Sequence, residues 1–422
     1  MSAASRALDL VFRHESGRLE AWLLRRLGPR HFDLAEEAVA DAFLAAATTW
    51  PVAGTPRDPR AWLLAAAHRK ALDRLRRSAT AARKAPLLRA RSDAFYQIEP
   101  LRPDLDDEVA VLLLAAHPAL GREAQVAFTL RTLMGLSTRE VAQALLVPEA
   151  TAAQRIVRAR KALMALAPRT RLAPAQLGER VASVLDVLYL VFAQGHHASE
   201  GKELVRSQLV ADALRLATLL LQSLARTGTA RASLPSVHAL LALMHLQAAR
   251  LPTRIDRLGE LVLLAAQDRA RWEPRLLARG YEHLDRSAAG REVSRFHLEA
   301  GIAALHAAAP SEAETNWRQI LDLYDELEGL WPTPVVRLNR SVAVARVHGP
   351  AAGLAALEPL GTDSALRGYA PYHAVLGELL RQAGRRDDAA LSFERALACP
   401  ASEPQRRHFA RAVASLRRPG VG

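Results

Sequence analysis

An all-α fold is predicted for this chain of 422 residues, and three observations support the prediction. Alanine and leucine, both strong helix formers, abound in the sequence. Half of the residues are hydrophobic, but only 5% are aromatic. Apolar residues recur at intervals of three and four, and no segment shows the strict alternation of a half-buried strand. At about 150 residues per domain, the length allows two to four domains.

The chain is strongly basic, with 57 Lys and Arg against 44 Asp and Glu, which gives a formal net charge of +13. Residues 68–91 hold nine of these basic residues and a single acidic residue, Asp73. An arginine-rich composition explains part of the overall excess, but it does not explain this clustering. Clustered positive charge indicates a polyanionic partner such as nucleic acid.

Residues 135–163 have the pattern of a helix-turn-helix. Ser137 can cap a first helix, and Glu140 three residues later completes a capping box. A break follows, because the residue before Pro148 is disfavoured in the helical conformation. A second helix is predicted from about Glu149. The predicted buried positions are Val141, Ala142 and Leu145 in the first helix, and Ala152, Ile156, Ala159 and Leu163 in the second.

The second of these helices has an apolar face and, opposite it, a face with cationic and amide side chains, which we call the front. Gln154, Arg158 and Lys161 lie on this front, flanked by Ala153 and Val157. Because Arg and Gln can read purine edges with paired hydrogen bonds, the front suits a DNA major groove. An amphipathic helix with solvated arginines is the alternative. The residues expected at phosphates or on the free surface are Thr151, Arg155, Arg160 and Lys161.

Residues 1–80 are predicted to form a compact helical unit. Asp33 and Glu36 are interpreted as a capping pair for a helix over residues 33–50. A second amphipathic helix is predicted over residues 59–77, because a proline suits the first helical turn and basic residues favour the last one. Its apolar side would consist of Trp62, Leu63, Ala66, Leu72 and Leu75.

The rest of the chain divides into three parts. Residues 81–107 have the mixed charges and prolines of a linker, and residues 108–168 hold the helix-turn-helix. Residues 175–422 are predicted to be helical throughout. Within them, residues 372–400 have a tetratricopeptide-repeat pattern, which predicts stacked helix pairs because one pair cannot bury its own apolar face. The positions that define this pattern are Gly377, Ala383, Gly384, Ala389, Phe393, Ala396 and Pro400.

Several function classes are disfavoured by the sequence. With Cys399 as the single cysteine, no internal disulfide or cysteine-based zinc site is expected. No signal core and no membrane-length apolar run are found, so a soluble cytoplasmic protein is expected. His196 and His197 are adjacent, so they do not face the same way on a helix, and a metal site there is disfavoured. Asp268 and Arg269 are interpreted as an internal ion pair beside Trp272.

The first 165 residues resemble an RNA polymerase sigma factor of the extracytoplasmic-function class. The segment AEEAVADAFLAAATTW resembles the region-2 helix that binds the clamp helices of the polymerase. The segment AWLLAAAHRKALDRLRR resembles the region-2 helix that engages the minus-ten element. Region 4, which reads the minus-thirty-five element, is matched by HPALGREAQVAFTLRTLMGLSTREVAQALLVPEATAAQRIVRARKAL. The resemblance makes residues 1–80 region 2 and residues 108–168 region 4.

The resemblance also implies roles for particular residues. Contact with core RNA polymerase is expected from Glu36, Glu37, Asp41 and Phe43. Contact with promoter DNA around the minus-ten element is expected from Arg69, Lys70, Arg74, Arg76 and Arg77. Contact with the minus-thirty-five element is expected from Thr151, Ala153, Gln154, Arg155, Val157, Arg158 and Lys161. Without the resemblance, the acidic residues would be a solvated helix face, while the helix dipole would explain one or two of the arginines.

The C-terminal half extends the resemblance. The segments YLVFAQGHHASEGK, LLALMHLQAAR, QDRARW and LNRSVAVAR resemble the subgroup with a long tetratricopeptide-like extension, which is thought to control sigma activity. Two departures lie in region 2, where Ala40 replaces the usual glutamine and Arg69 the usual asparagine. The first removes a polar contact to the polymerase, and the second adds charge beside DNA.

The sequence therefore predicts a non-enzymatic transcription initiation factor that needs no cofactor. Core RNA polymerase and promoter DNA are its expected partners, and a protein or signal-bearing partner of the C-terminal domain is a further option. One alternative is a helix-turn-helix regulator with a repeat scaffold. Another is a tetratricopeptide-type adaptor without sigma activity.

Overall fold

The structure, a computed structural model, describes residues 3–83, 105–145, 147–165, 174–196, 207–228 and 230–417, with the side chains of 3–14, 78–83 and 174–175 left aside. Most of the predicted linker therefore lies outside the described residues. Within them, the regular structure is α-helix and short 3-10 turns, without a strand, and Ile255 and Leu261 form an isolated bridge. The all-α prediction is confirmed.

The described helices number 18 and are labelled in chain order. They are α1 (Ala3–Leu27), α2 (Phe32–Ala53), α3 (Pro59–Arg83), α4 (Asp107–Ala115), α5 (Arg122–Thr132), α6 (Thr138–Leu145), α7 (Glu149–Met164), α8 (Pro174–His196), α9 (Ser207–Thr227), α10 (Leu234–Ala249), α11 (Pro274–Ser287), α12 (Arg295–Ala308), α13 (Trp317–Leu330), α14 (Pro334–His348), α15 (Pro350–Leu357), α16 (Ala370–Gln382), α17 (Arg386–Ala398) and α18 (Glu403–Arg417). None of the described helices is long and apolar enough to cross a membrane.

The chain divides into two compact units. The first comprises Met1–Val191 and Thr218–Ser233, and the second comprises Phe192–Ala217 and Leu234–Gly422. Helices α8 and α9 therefore contribute to both units. Within the first unit, we call α1–α3 the N-terminal bundle and α4–α7 the helix-turn-helix domain.

The N-terminal bundle buries one face of α2 between α1 and α3. Its core consists of small and branched apolar side chains, and Trp50 meets Trp62 edge-on at 5.6 Å. The predicted capping pair is wrong, because α2 begins at Phe32 and its N-cap residue, His31, makes no side-chain cap. Asp33 instead lies in the first turn, where a carboxylate favours the positive end of the helix dipole.

The helix-turn-helix forms as its local sequence predicts. Ser137 accepts the backbone N–H of Glu140 at 3.2 Å, while Glu140 accepts the backbone N–H of Ser137 at 2.8 Å. Both bonds of the capping box are therefore present. Helix α7 begins at the expected Glu149. Its predicted inner stripe is fully confirmed, with Ala152, Ile156, Ala159 and Leu163 all buried.

In the second unit, α10 is packed against α11 and α12, and later helices pack against their neighbours along the chain. Two hydrophobic clusters share Leu354 and Leu376 as partly buried members, which makes the packing continuous from α14 to α18. Gly377 of α16 lies against Phe393 of α17, where an added Cβ would come within 3.0 Å of the ring. Small residues at this crossing let the two helices approach closely.

The stretch between α10 and α11 departs from the prediction of helix throughout. It contains 3-10 turns and the isolated bridge, since Val262 donates to the carbonyl of Arg254 at 2.9 Å. The predicted ion pair of Asp268 with Arg269 is also wrong. Asp268 accepts the backbone N–H of Ala270, and Arg269 pairs with Glu312 at 3.6 Å. Trp272 is buried, as predicted.

Candidate nucleic-acid interface

Helix α7 presents the predicted front to solvent. Gln154, Arg158 and Lys161 are exposed, and Val157 between them is 62% exposed. Thr151 and Ala153 are partly exposed at the start of the helix. Val157 places an exposed apolar side chain between the amide of Gln154 and the guanidinium group of Arg158. It suits a major groove, where the thymine methyl group offers an apolar contact.

Two further arginines of α7 do not lie on this front. Arg155 pairs with Glu123 of α5 within the helix-turn-helix domain. Arg160 is only 16% exposed and pairs with Glu36 at 2.6 Å and with Asp33 at 3.4 Å. Both acidic residues belong to α2, so Arg160 joins the helix-turn-helix domain to the N-terminal bundle. Sequence spacing alone had placed Arg160 at a phosphate or on the free surface.

The basic end of α3 has four exposed cations, of which Arg76 pairs with Asp73 at 3.8 Å within the helix, and a fifth cation that pairs with α2. Arg69, Lys70, Arg76 and Arg77 are exposed along the helix. Arg74 instead donates to Asp41 of α2 at 2.8 Å and also pairs with Glu37. The basic residues predicted beyond α3, namely Lys84, Arg89 and Arg91, lie outside the described residues.

The acidic residues of α2 separate into two sets. Glu37 and Asp41, 57% and 30% exposed as side chains, face α3 and hold Arg74. Glu36 lies one residue away on another side of the helix, and it is paired with Arg131 and Arg160. Phe43, the fourth predicted polymerase contact, is buried at 6% exposure in the bundle. The structure thus brings the predicted polymerase residues Glu37 and Asp41 together with the predicted DNA residue Arg74.

A partly buried charge cluster lies between the N-terminal bundle and the helix-turn-helix domain. Its members are Glu20 of α1, Glu36 of α2, Arg131 of α5 and Arg160 of α7. Glu20 is 5% exposed, and burial raises its pKa to about 7, although the positive charges of Arg131 and Arg160 act to lower it. Burial lowers the pKa of Arg131. We call these four residues the interdomain charge cluster.

Apolar and backbone contacts surround the interdomain charge cluster. Phe32 of α2 and Phe128 of α5 meet edge-on with ring centroids 5.2 Å apart. Gly17 of α1 lies directly against the carbonyl of Leu133, where an added Cβ would be 2.2 Å from the oxygen. A larger residue at position 17 would separate the two backbones. No local sequence pattern predicts this contact, because its members lie more than 90 positions apart.

The helix-turn-helix domain is also held from the C-terminal side by α8. Arg122 of α5 pairs with Asp186 at 2.6 Å and donates to the carbonyl of Ser183 at 2.9 Å. Arg180 of α8 donates to the carbonyl of Leu113 at 3.2 Å. The part of α8 that makes these bonds, up to Val191, belongs to the same compact unit as both preceding domains.

No metal-binding site is found in the described part of the chain. No group of three or more His, Cys, Asp or Glu residues there is arranged to hold a metal ion. The side chain of His196 is buried in the second unit, where its ring nitrogens form hydrogen bonds with Gln247 and Arg254. Its neighbour His197 lies outside the described residues.

Comparison with known proteins agrees with this geometry. Residues 11–80 match the family described as Sigma-70 region 2, and residues 110–163 match the family described as Sigma-70, region 4. Residues 180–288 match a family of unknown function, DUF6596. An uncharacterized protein of Rhizobium meliloti (strain 1021) is 38% identical over 375 residues, which cover 87% of this chain and 86% of that protein. The chain belongs to the family of this Rhizobium protein.

Regions 2 and 4 indicate an RNA polymerase sigma factor with a role in promoter recognition and transcription initiation. The N-terminal bundle contains the region-2 match and the helix-turn-helix domain contains the region-4 match, and the two are called region 2 and region 4 below. These families are DNA-binding initiation factors without enzymatic activity, and they imply core RNA polymerase and promoter DNA as partners. No solved structure matches the chain significantly.

Proposed function

We propose that the chain is an extracytoplasmic-function sigma factor of the subgroup with a tetratricopeptide-like extension, and that this extension controls it. The observation that carries the proposal is the exposed front of α7, with Gln154, Val157 and Arg158, in a chain that also carries region 2. Such a factor works in the cytoplasm, where it recruits core polymerase to promoters and helps to open the duplex.

Run-off transcription with purified core RNA polymerase tests this proposal. The full chain should direct transcripts from promoters that core polymerase alone does not use. A helix-turn-helix regulator without sigma activity would bind DNA but give no transcript with core polymerase. A repeat-type adaptor would do neither, so the assay separates all three functions.

The acidic side of α2 at Glu37 and Asp41 is the proposed contact with core polymerase. The variant Glu37→Lys/Asp41→Lys should weaken core binding at least tenfold, because it reverses two exposed charges where a complementary surface is expected. A pull-down or a fluorescence titration with core polymerase measures this. Circular dichroism should show an intact fold, since both side chains lie at the surface of the bundle.

Arg74 provides the matched control for this prediction. The variant Arg74→Ala frees Glu37 and Asp41 from their intramolecular partner without changing either carboxylate. Core binding should then be equal to that of the unaltered chain or tighter, while binding to minus-ten DNA weakens. If the double Lys variant binds core polymerase as well as the unaltered chain does, the acidic side of α2 is not the contact.

The observed arrangement of regions 2 and 4 supports a closed state that must open at a promoter. A path from Arg158 to Arg74 follows the backbone to Arg160, crosses the ion pair to Glu36, and continues through Glu37 to Arg74. At normal bond lengths this path is no longer than about 40 Å. As their names indicate, the minus-ten and minus-thirty-five elements are roughly 25 base pairs apart, or about 85 Å of B-DNA at about 3.4 Å per pair. We propose that the interdomain charge cluster separates when both elements are bound.

Control by the C-terminal extension is proposed to act through α8, which packs on region 4. Arg122→Ala removes the bonds to Asp186 and Ser183, which should shift this packing equilibrium about fivefold, since a partly exposed charged contact contributes about 1 kcal/mol. Run-off transcription rates should change accordingly, and the reversed pair Arg122→Asp/Asp186→Arg should restore part of the change. An unaltered rate for Arg122→Ala would contradict control through this contact.

A further inference from the structure

Three histidines lie together where α10 packs against α11. The Nδ1 atoms of His238 of α10 and His283 of α11 are 2.9 Å apart, which is a hydrogen-bond distance. The ring of His245, further along α10, stacks on the ring of His283 with 5.5 Å between the centroids and 7° between the planes. We call these three residues the histidine stack. It lies within residues 180–288, which match the family of unknown function.

The geometry of the histidine stack limits how many of its rings can be charged. A hydrogen bond between two Nδ1 atoms needs one nitrogen with a proton and one without, because a protonated imidazole has only donors. If His238 and His283 were both charged, this bond would be lost and the like charges would lie on rings 5.1 Å apart. A charge on His245 would add repulsion, since its ring is stacked on His283. The packed arrangement therefore disfavours a second charged ring.

The elements packed against the histidine stack do not supply an acidic group to offset such charges. Glu282 is the acidic neighbour of His238 and His283, but it already pairs with Arg286 at 2.6 Å. The charged and titratable groups of these elements are Arg279, Glu282, Asp285 and Arg286 of α11, Arg295, His297, Glu299 and His306 of α12, and Arg250 and Arg254 beside the 3-10 turn after α10. On α12, Arg295 and Glu299 pair with each other at 3.1 Å.

Protonation of the histidine stack is consequently unfavourable while α11 is packed. Burial, with smaller effects of His283 and Arg279, lowers the pKa of His245 to about 4. Burial, followed by the effect of His238, lowers the pKa of His283 to about 4, and burial also lowers the pKa of His238. A solvated histidine has a pKa of about 6.5. Packing of α11 is therefore favoured above about pH 6.5 and is weakened as the pH falls toward about 4, because the separated form binds more protons.

Helix α11 is attached to α10 by a narrow face. Gly280 and Ser287 are the buried residues of this helix. Gly280 lies directly against Leu246 of α10, where an added Cβ would be 2.7 Å from the Cγ atom. His283 lies between Gly280 and Ser287 along α11 and makes both ring contacts with α10. Repulsion at His283 therefore acts within the face that holds α11.

We propose that the histidine stack is a proton-sensitive switch that releases α11 from α10 when the pH falls below about 6.5. The proton is the ligand, and the imidazoles of His238, His245 and His283 are the groups that bind it. Protonation of clustered histidines can change an interface in this pH range, because the unperturbed titration of histidine lies there. The proposal concerns the second unit by itself and does not depend on sigma activity.

Hydrogen exchange of the full chain, measured by mass spectrometry and corrected for the intrinsic effect of pH, tests the proposal. Between pH 7.5 and 5.5, the protection of α11 should fall by at least about tenfold, because the released form takes up protons. The protection of α13, a helix without histidine, should change by less than about twofold and serves as the reference within the same molecule. The logarithm of the opening constant of α11 should change by more than one per pH unit, since more than one ring takes up a proton.

His283→Gln removes the ring that both other histidines contact, so its α11 should lose at least about threefold less protection over the same pH range. His348→Gln is the matched control, because His348 ends α14 in the same unit, outside the histidine stack, and it should behave as the unaltered chain does. Should His283→Gln fail to fold, His238→Gln tests the same hydrogen bond. The proposal is overturned if α11 loses no more protection than α13, if the opening constant follows a single proton, or if the folded glutamine variant keeps the full response.

Discussion

Arg160→Gln should open the chain between regions 2 and 4. The substitution removes the bonds to Asp33 and Glu36 and leaves Glu36 and Glu20 with Arg131 alone. Breaking a largely buried ion pair costs about 3 kcal/mol, which corresponds to roughly a hundredfold shift toward the open form. Small-angle scattering, or energy transfer between dyes on α2 and α7, should report a larger separation, and core polymerase should bind more tightly.

Arg155→Gln is the matched control on the same helix. Arg155 pairs with Glu123 inside region 4, so its loss leaves the contact with region 2 intact. The sign of the effect on DNA binding distinguishes two roles for Arg160. If Arg160 were a phosphate ligand, Arg160→Gln would weaken promoter binding at unchanged compactness. If it holds the closed state, the same variant should bind promoter DNA more tightly.

The closed state should also depend on pH through Glu20. Its pKa of about 7 in the closed form lies above the usual 4.5, so the closed form binds a proton that the open form releases. The contribution of Glu20 therefore favours closure below about pH 4.5 and is lost as the pH rises through about 7. The charged groups that face it are Arg131, Arg160, Glu36 and, through Arg131, Glu140. Glu20→Gln should abolish the change in separation between pH 5 and 8.

Arg158→Ala should remove about 1–3 kcal/mol of discrimination at one base pair of the minus-thirty-five element, since a bidentate contact to a purine edge has this value. Arg158 lies on the exposed front of α7 beside Val157 and Gln154. Reporter assays over a library of minus-thirty-five variants measure the preference profile. The change should be confined to one position, and the variant should tolerate bases there that the unaltered chain rejects.

Lys161→Ala separates this effect from general electrostatics. Lys161 is exposed one turn further along α7, and as a phosphate contact it should weaken binding to all sequences equally. DNA binding by Lys161→Ala should also depend less on salt concentration than DNA binding by the unaltered chain. A preference profile that stays the same in Arg158→Ala would remove Arg158 from the base-reading residues.

Local sequence patterns are sufficient to predict the helices of region 4 and their capping. The capping box of Ser137 and Glu140, the start of α7 at Glu149 and its buried stripe all depend on residues within a few positions of one another. Local spacing fixes such features, because helical periodicity sets which side chains share a face. The exposed front of α7 follows from the same periodicity.

The pairing of charged residues depends instead on contacts between distant parts of the chain. Arg160 belongs to the same helix as Arg158, but it meets Glu36 over a separation of 124 positions, which no local pattern indicates. Glu36 and Glu37 are neighbours in sequence, yet one faces region 4 and the other faces α3.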